Sequence, residues 1–230
     1  MLKAEKIPRS AVPLALRAKQ WRPHFRRGQR IYAGEAHGGA WRVLSGSVRL
    51  DREEPNGEQS FATLAVQNDI IGAETLLFGK YTFTATALST CVLEPWPEGQ
   101  TVPAGDSLLH TLARTQRRAA EVIGLRCGQA ADRVRRLVMM LAHPGEESPA
   151  RQVAGELLVV LPSRQDMADI TALTLETVSR MVSQLRYAGI LAPQSNAGHP
   201  SQRTFAVLRD AADAPSAAGI IGGASPCGWP

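Results

Sequence analysis

Residues 162–191 constrain the fold most, because they carry the signals of two short helices joined by a tight turn. Ser163 can accept a backbone hydrogen bond at the start of the first helix, and Asp166 three residues later can complete a capping box. Thr174 can cap a second helix in the same way. Gly189 stands where a helix C-terminus favours glycine. The segment therefore predicts a helix, a turn, a second helix and the start of a strand.

The second helix of this segment has two chemically distinct faces. Apolar residues recur at spacings of three and four, which predicts an inward face made of Leu175, Val178, Val182 and Leu185. The opposite face carries hydrogen-bonding side chains, namely Glu176, Thr177, Ser179, Arg180 and Ser183. A capped helix with a polar outer face is typical of a helix-turn-helix that enters a DNA groove. An ordinary pair of packed helices is the alternative interpretation.

Residues 174–180 resemble the recognition helix of the Crp/Fnr family of bacterial transcription regulators, and Glu176, Ser179 and Arg180 match the pattern of its Fnr branch. The resemblance implies a palindromic site built from two half-sites related to TTGAT. The chemistry agrees, because arginine can donate two bonds to guanine and glutamate can accept one from cytosine. The predicted DNA-binding residues are Ser163, Arg164, Gln165, Thr174, Glu176, Thr177, Ser179, Arg180, Ser183 and Arg203.

The turn of this motif departs from the family pattern at one position. A glycine is common in that turn, whereas this chain has Ala172 there. If the position requires a positive φ, alanine costs about 1 kcal/mol, since its Cβ approaches the following carbonyl oxygen.

Composition sets broad limits on the class of protein. The chain has 230 residues, of which 44% are hydrophobic and 20% charged, enough for one large or two small globular domains. The net charge of +5 suits a nucleic-acid partner without requiring one. Three scattered cysteines, no apolar run of about 18 residues and no signal-peptide core favour a cytoplasmic protein with no membrane association.

Residues 21–97 predict many short strands separated by Gly, Asn and Pro turn signals. The strand candidates are 30–32, 41–44, 47–50, 61–64, 69–71, 83–87 and 91–94. This spacing predicts a β-sandwich or jelly-roll barrel. Residues 43–48 and 71–78 resemble the glycine turn and the phosphate cassette of the cyclic-nucleotide-binding β-roll in Crp/Fnr proteins. The resemblance thus implies an α+β fold, with this β-roll followed by a long helix and a winged helix-turn-helix.

The resemblance also implies an effector pocket in the β-roll, formed by Gly72, Glu74, Tyr81 and Thr82. Glu74 is one residue out of register with the family's ribose-binding glutamate, and a purely structural role is the alternative for it. Tyr81 and Thr82 fall where the family has an Arg-Ser pair for the cyclic phosphate, and no arginine lies between Arg52 and Arg114. A buried phosphate without arginine loses its strongest bidentate partner. Cyclic AMP is therefore disfavoured, and the identity of any small-molecule effector stays unknown.

Residues 105–128 predict a long helix with a seam of coiled-coil type. The seam consists of Leu108, Leu112, Thr115, Ala119, Val122 and Arg126. In the family, this helix pairs with its copy, so the resemblance implies a homodimer. Packing of the seam on the β-roll of the same chain is the alternative.

These segments predict a division of the chain into four parts. Residues 1–104 form the β-roll sensor, 105–128 the dimerisation helix, 129–210 the winged helix-turn-helix and 211–230 a disordered tail. The resemblance further implies contact with RNA polymerase and activation of transcription.

Other chemistry finds little support in the sequence. The five histidines share no metal-ligand spacing, so no metal site is expected. No nucleophile–base pair is evident, so an enzyme is not expected. No cysteine precedes Cys91, so the iron–sulfur cluster of Fnr is not expected either. The alternative function is a ligand- or metal-binding cupin-type protein, or an enzyme of that type, with a helical appendage.

Overall fold

The computed structural model describes residues 22–96, 108–144, 157–193 and 204–207. The strands of the first range are β1 His24–Phe25, β2 Arg30–Tyr32, β3 Trp41–Ser45, β4 Val48–Glu53, β5 Gln59–Ala65, β6 Ile70–Ile71, β7 Thr84–Ala87 and β8 Cys91–Pro95. They form two four-stranded antiparallel sheets, in the orders β1-β8-β3-β6 and β2-β7-β4-β5. A short helix, α1 (Thr75–Phe78), follows β6.

The two sheets pack face to face over an apolar core. Val43 and Leu93 from one sheet and Val48 and Ala85 from the other are fully buried in the same cluster. In β8, the buried Cys91 and Leu93 flank the half-buried Val92, as expected of a strand with one face toward the core. The jelly-roll prediction is thereby confirmed. The sequence did not predict β1 or α1.

Two long helices follow the β-roll, α2 (Leu108–Gly124) and α3 (Ala130–Leu141). The C-terminal part is built from β9 His143–Pro144, β10 Leu157–Val160, α4 Arg164–Thr171, α5 Leu175–Tyr187, β11 Leu191–Pro193 and β12 Thr204–Val207. Its strands form one antiparallel sheet in the order β11-β12-β10-β9. Helices α4 and α5 form the helix-turn-helix, so the predicted α+β architecture is confirmed.

The helix ends agree with the local signals in the sequence. The Ser163 side chain accepts from the Asp166 N–H at 3.0 Å, and Asp166 accepts from the Ser163 N–H at 3.2 Å, which completes the capping box. Thr174 accepts from the Thr177 N–H at 3.2 Å at the start of α5. Gly189 has φ +74° just beyond the end of α5, a conformation that costs glycine little.

One prediction about α5 was wrong. Leu175 is 49% exposed, whereas Met181, which was not assigned to the inward face, is buried with Val178 and Val182. Because a helix turns about 100° per residue, Leu175 lies roughly 70° from the centre of the buried stripe. That edge of the first turn is therefore only partly covered by the described residues.

A second core joins the β-roll to the C-terminal helices. Phe61 and Leu64 of β5 share one buried cluster with Leu125, with Val134 of α3 and with Met167 of α4. Four apolar residues of α3 are buried in this core, namely Val134, Leu137, Val138 and Leu141. The helix-turn-helix therefore packs against the β-roll and α3 in this chain.

Candidate nucleic-acid interface

Helix α5 presents its polar side chains to solvent. Glu176, Arg180 and Ser183 are exposed, while Thr177 and Ser179 are half-buried beside them. Ser183 donates to the Ser179 carbonyl within the helix at 2.9 Å. Glu176 and Arg180 are one turn apart, so both can reach the same groove of a duplex.

The other predicted DNA-binding residues of this region surround the N-termini of the two helices. Gln165 is exposed, and its amide donates to Asp169 at 2.9 Å. Arg164 is half-buried and lies 3.7 Å from the Met167 sulfur. The hydroxyls of Ser163 and Thr174 serve the two caps.

The turn between α4 and α5 contains the positive φ whose cost for Ala172 was considered from the sequence. Ala172 ends α4 with φ +51° and ψ +48°, in the left-handed region. Its N–H donates to the Ala168 carbonyl, and its side chain is exposed. The turn geometry thus requires a positive φ at a residue that carries a Cβ.

The wing is described only in part. Strands β11 and β12 pair antiparallel, with Ala192 opposite Ala206. Arg203, predicted to contact DNA, lies outside the described residues, as do the loop before it and the tail 211–230.

The predicted effector-pocket residues lie close together and contact one another. Glu74 accepts a hydrogen bond from the Thr82 N–H at 3.1 Å. A Cβ added to Gly72, whose φ is +72°, would lie 2.6 Å from Tyr81 Cε1. Tyr81 is 4% exposed, so its ring fills the space between these segments.

Aromatic packing and hydrogen bonds hold Tyr81 in place. Its ring stacks on Tyr32 with centroids 3.6 Å apart. Its hydroxyl donates to the Gly39 carbonyl at 2.8 Å and accepts from Trp41 Nε1 at 3.2 Å. Burial raises the pKa of Tyr32, and the Glu74 carboxylate raises it further. Tyr81, which the resemblance aligns with the family's arginine, is thus a buried aromatic residue with both hydrogen-bonding roles of its hydroxyl in use.

A separate cavity of about 230 Å³ lies between strand β5 and helix α2. Its lining includes Leu64, Ile70 and Thr115, and none of the four predicted effector residues. Any ligand there would contact α2 instead of the predicted pocket.

The six predicted dimer residues, on α2 and just beyond its end, lie in different environments. Leu112, Thr115 and Ala119 are exposed, whereas Val122 is 6% exposed and packs in the core of its own chain. Arg126 is also engaged within the chain, where it donates to the carbonyls of Ile170 and Asp169. The side chain of Leu108 lies outside the described residues.

One residue of α2 was missed by the sequence analysis. Ile123 is 64% exposed, close to the 63% of Leu112. The two side chains are eleven residues apart, which places them roughly 20° apart around the helix. The exposed apolar face of α2 thus runs from Leu112 to Ile123 and differs from the predicted seam at its C-terminal end.

Within the described ranges, His, Cys, Asp and Glu form no group of three or more that could hold a metal ion. Among the helices that the structure describes, none is long and apolar enough to cross a membrane.

The chain resembles known proteins in both of its parts. The cyclic nucleotide-binding domain family matches residues 22–99, and the family of bacterial regulatory proteins called the crp family matches residues 162–191. The second match coincides with the helix-turn-helix segment.

Three proteins illustrate the similarity over most of the chain. The nitrogen fixation regulation protein FixK of Rhizobium meliloti is 28% identical over 73% of this chain and 76% of its own. The transcriptional regulator LdrP of Thermus thermophilus is 29% identical over 73% of this chain and 86% of its own. The structure of FixK2 from Bradyrhizobium japonicum matches with 26% identity and a TM-score of 0.56, over 82% of this chain and 92% of FixK2.

Proposed function

Because the chain belongs to the Crp/Fnr family of bacterial transcription regulators, we propose that it acts as a homodimer that binds a palindromic, TTGAT-like site and activates transcription. Regulators of this family bind DNA and usually act as dimers. The proposal involves no catalysis, since the named relatives are transcription regulators. The expected setting is the bacterial cytoplasm, with RNA polymerase as the partner in activation.

The observation that carries the proposal is the exposed pair Glu176 and Arg180 on a capped helix. The Arg180 guanidinium can donate two hydrogen bonds to guanine O6 and N7. The Glu176 carboxylate can accept from the amino group of a cytosine. Ser179 adjoins both and completes the Fnr-type pattern.

The exposed apolar face of α2 supports the homodimer. Leu112 and Ile123 leave large apolar side chains in solvent when the chain is alone. A two-fold pairing of this face would bury them and would present both copies of α5 to one side of the duplex. The half-sites would then be about 34 Å apart, one turn of DNA.

We propose that an effector, where one acts, changes the orientation of the helix-turn-helix relative to α2. The dense packing around Tyr81 and the absence of an arginine from the matching position argue against cyclic AMP in the β-roll. If no effector acts, the amount of protein alone controls how much of the DNA site is bound.

Fluorescence anisotropy with two duplexes tests the function. One duplex carries a palindromic TTGAT-type site and the other a shuffled sequence. Arg180→Ala should weaken binding to the palindrome by about 1–3 kcal/mol and relax the base preference. Arg27→Ala removes the same charge from an exposed turn of the β-roll and serves as the matched control. An equal loss on both duplexes would show that Arg180 contacts only phosphates.

A further inference from the structure

A cleft of about 830 Å³ lies between helices α2 and α3. None of its described lining residues belongs to the recognition helix α5 or to the Tyr81 cluster. Its volume is within the range of roughly 300–1,000 Å³ that is usual for sites of small organic ligands. The cleft is thus a second candidate site, distinct from the DNA-binding surface.

The cleft is rich in arginine on both of its walls. Its arginines are Arg114, Arg117 and Arg118 from α2 and Arg135 and Arg136 from α3. The acidic residues among its described lining residues are Asp69, Glu121 and Asp132, so the arginines exceed them by two. Facing positive charges across a cleft favour an anion between them.

Two arginines of the α2 wall form ion pairs with carboxylates. Arg117 and Arg118 share Glu121, with N–O distances of 2.9 and 2.6 Å, and Arg118 also pairs with Asp69 at 2.8 Å. The charge of Arg117 and Arg118 is thus matched by two carboxylates, and the surplus of positive charge in the lining comes from the other arginines of the cleft.

Two other arginines of the cleft contact backbone. Arg114 donates to the Asn68 carbonyl at 3.3 Å, and Arg136 donates to the Gly124 carbonyl at 2.8 Å. A carbonyl accepts a hydrogen bond but does not neutralise the charge, and each guanidinium has five N–H donors. Both walls thus retain donors for an anionic ligand.

We propose that this cleft binds a small, nucleotide-sized organic ligand that carries two or more phosphate groups. The planar fork of arginine matches phosphate oxygens, and placing arginines on opposite walls suits a ligand with several negative groups. Met139 and Met140 also line the cleft, and their polarizable side chains suit contact with an aromatic ring.

The cleft lies on the side of α2 opposite the proposed dimer face, so it remains accessible to a ligand. Glu121 is nine residues after Leu112, which places it roughly 180° around the helix. A dimer that pairs the Leu112 face would therefore leave the cleft open. Duplex DNA fits the cleft less well, because its backbone offers phosphates but no apolar group for the methionines.

A ligand in the cleft would connect two parts of the chain. The α2 wall adjoins the β-roll through Asp69. The α3 wall shares its buried core with α4 and α5 through Val134 and Leu137. A bound polyanion would hold α3 against α2 and so fix the orientation of the helix-turn-helix.

Isothermal titration calorimetry on the full chain tests the proposal with ATP, tripolyphosphate and adenosine as probes. We expect ATP to bind most tightly, tripolyphosphate more weakly and adenosine not measurably. The double variant Arg114→Gln with Arg117→Gln should weaken ATP by about tenfold or more, since two charge-assisted contacts are lost. Asp132→Asn should tighten binding, because it removes a negative charge from the cleft.

The matched control is Arg27→Gln with Arg52→Gln, which removes two exposed arginines from the β-roll and should leave ATP affinity unchanged. Circular dichroism and melting temperatures must match among the variants. ATP binding that is equal in the cleft and control variants overturns the proposal, as does the absence of heat with both ATP and tripolyphosphate. Loss of affinity for a shuffled DNA duplex, with ATP affinity unchanged, would instead assign the arginines to DNA backbone. Failure of ATP binding would leave the proposed DNA binding by α5 standing, because the two are measured with different ligands and different variants.

Discussion

Arg49 of strand β4 donates a hydrogen bond to Asp169 of helix α4, with Nη1 and Oδ2 2.9 Å apart. The same guanidinium contacts Asp51 of its own strand at 2.6 Å and Asp166 of α4 at 3.4 Å. Only 13% of the Arg49 side chain is exposed. This ion-pair cluster links the β-roll directly to the first helix of the helix-turn-helix.

A second arginine reinforces the same contact. Arg126 lies just beyond the end of α2 and donates to the carbonyls of Asp169 and Phe61 at 3.2 and 3.4 Å. The guanidinium groups of Arg49 and Arg126 lie 5.9 and 5.1 Å from the centre of the Phe61 ring, within cation–π range. The orientation of α4 therefore depends on polar contacts as well as on the shared apolar core.

Arg49→Met should destabilise the protein strongly. It leaves the buried Asp51 without its cation, and breaking a buried pair from one side costs about 3 kcal/mol or more. Urea unfolding followed by circular dichroism measures the change. Arg52→Met, on the same strand but exposed, should change the free energy of unfolding by less than about 0.5 kcal/mol. Equal effects of the two variants would contradict the importance of this cluster.

The cost of Arg49→Met should depend on pH. Burial raises the pKa of Asp51, while the Arg49 guanidinium lowers it, so the variant raises that pKa further. A carboxyl with a higher pKa in the folded state adds stability as the pH falls through that pKa, and this contribution is complete below the unfolded pKa of about 3.9. The stability difference between wild type and variant should therefore shrink from pH 7 toward pH ~4. A difference that stays constant over this range would exclude Asp51 as its source.

Local signals made the helix-turn-helix predictable from sequence. Ser163 and Asp166 form the expected capping box, and Thr174 caps the second helix, because such bonds join residues only three apart. Leu175 was misassigned, since spacing defines a face but not how far a neighbouring element covers it. The caps were predictable because they join residues close in sequence, whereas the exposure of Leu175 depends on elements distant in sequence.

Contacts between distant residues were not predictable in the same way. Arg49 and Asp169 are 120 positions apart, and nothing near either residue in sequence signals the pair. The arginine-rich cleft likewise forms only when Arg117 of α2 and Arg136 of α3 face each other. The absence of an arginine near Tyr81 was visible in the sequence, but the stack of Tyr81 on Tyr32 was not.

Cyclic AMP should not stabilise the protein. The Tyr81 ring fills the position expected for the phosphate-binding arginine, and a ligand raises the melting temperature only if it binds the folded state. Thermal unfolding with about 1 mM cyclic AMP should match unfolding without it, because stabilisation follows the ratio of ligand concentration to Kd. A palindromic duplex serves as the positive control and should raise the melting temperature. A saturable increase with cyclic AMP would contradict the prediction.

Leu112→Glu combined with Ile123→Glu should convert the proposed dimer to monomers. Each substitution places a carboxylate on the exposed apolar face of α2, where two copies would face each other and repel. Light scattering should then give a mass near 24.8 kDa instead of about twice that value. Leu77→Glu is the matched control, because Leu77 is 82% exposed on α1, away from this face. An unchanged dimer mass in the α2 variant would remove this face from the interface.

Ala172→Gly should stabilise the protein. The left-handed backbone at φ +51° costs alanine roughly 1–2 kcal/mol, and glycine avoids this cost but loses about 0.4–1 kcal/mol through the greater freedom of its unfolded chain. The balance favours glycine by up to about 1.6 kcal/mol, and the exposed Ala172 side chain contributes little packing that could be lost. Ala188→Gly is the matched control, because Ala188 is also exposed at a helix end but has a right-handed conformation with φ −72°. There glycine should destabilise by roughly 0.5–1 kcal/mol. Changes of the same sign in both variants, measured by urea unfolding, would contradict strain at Ala172.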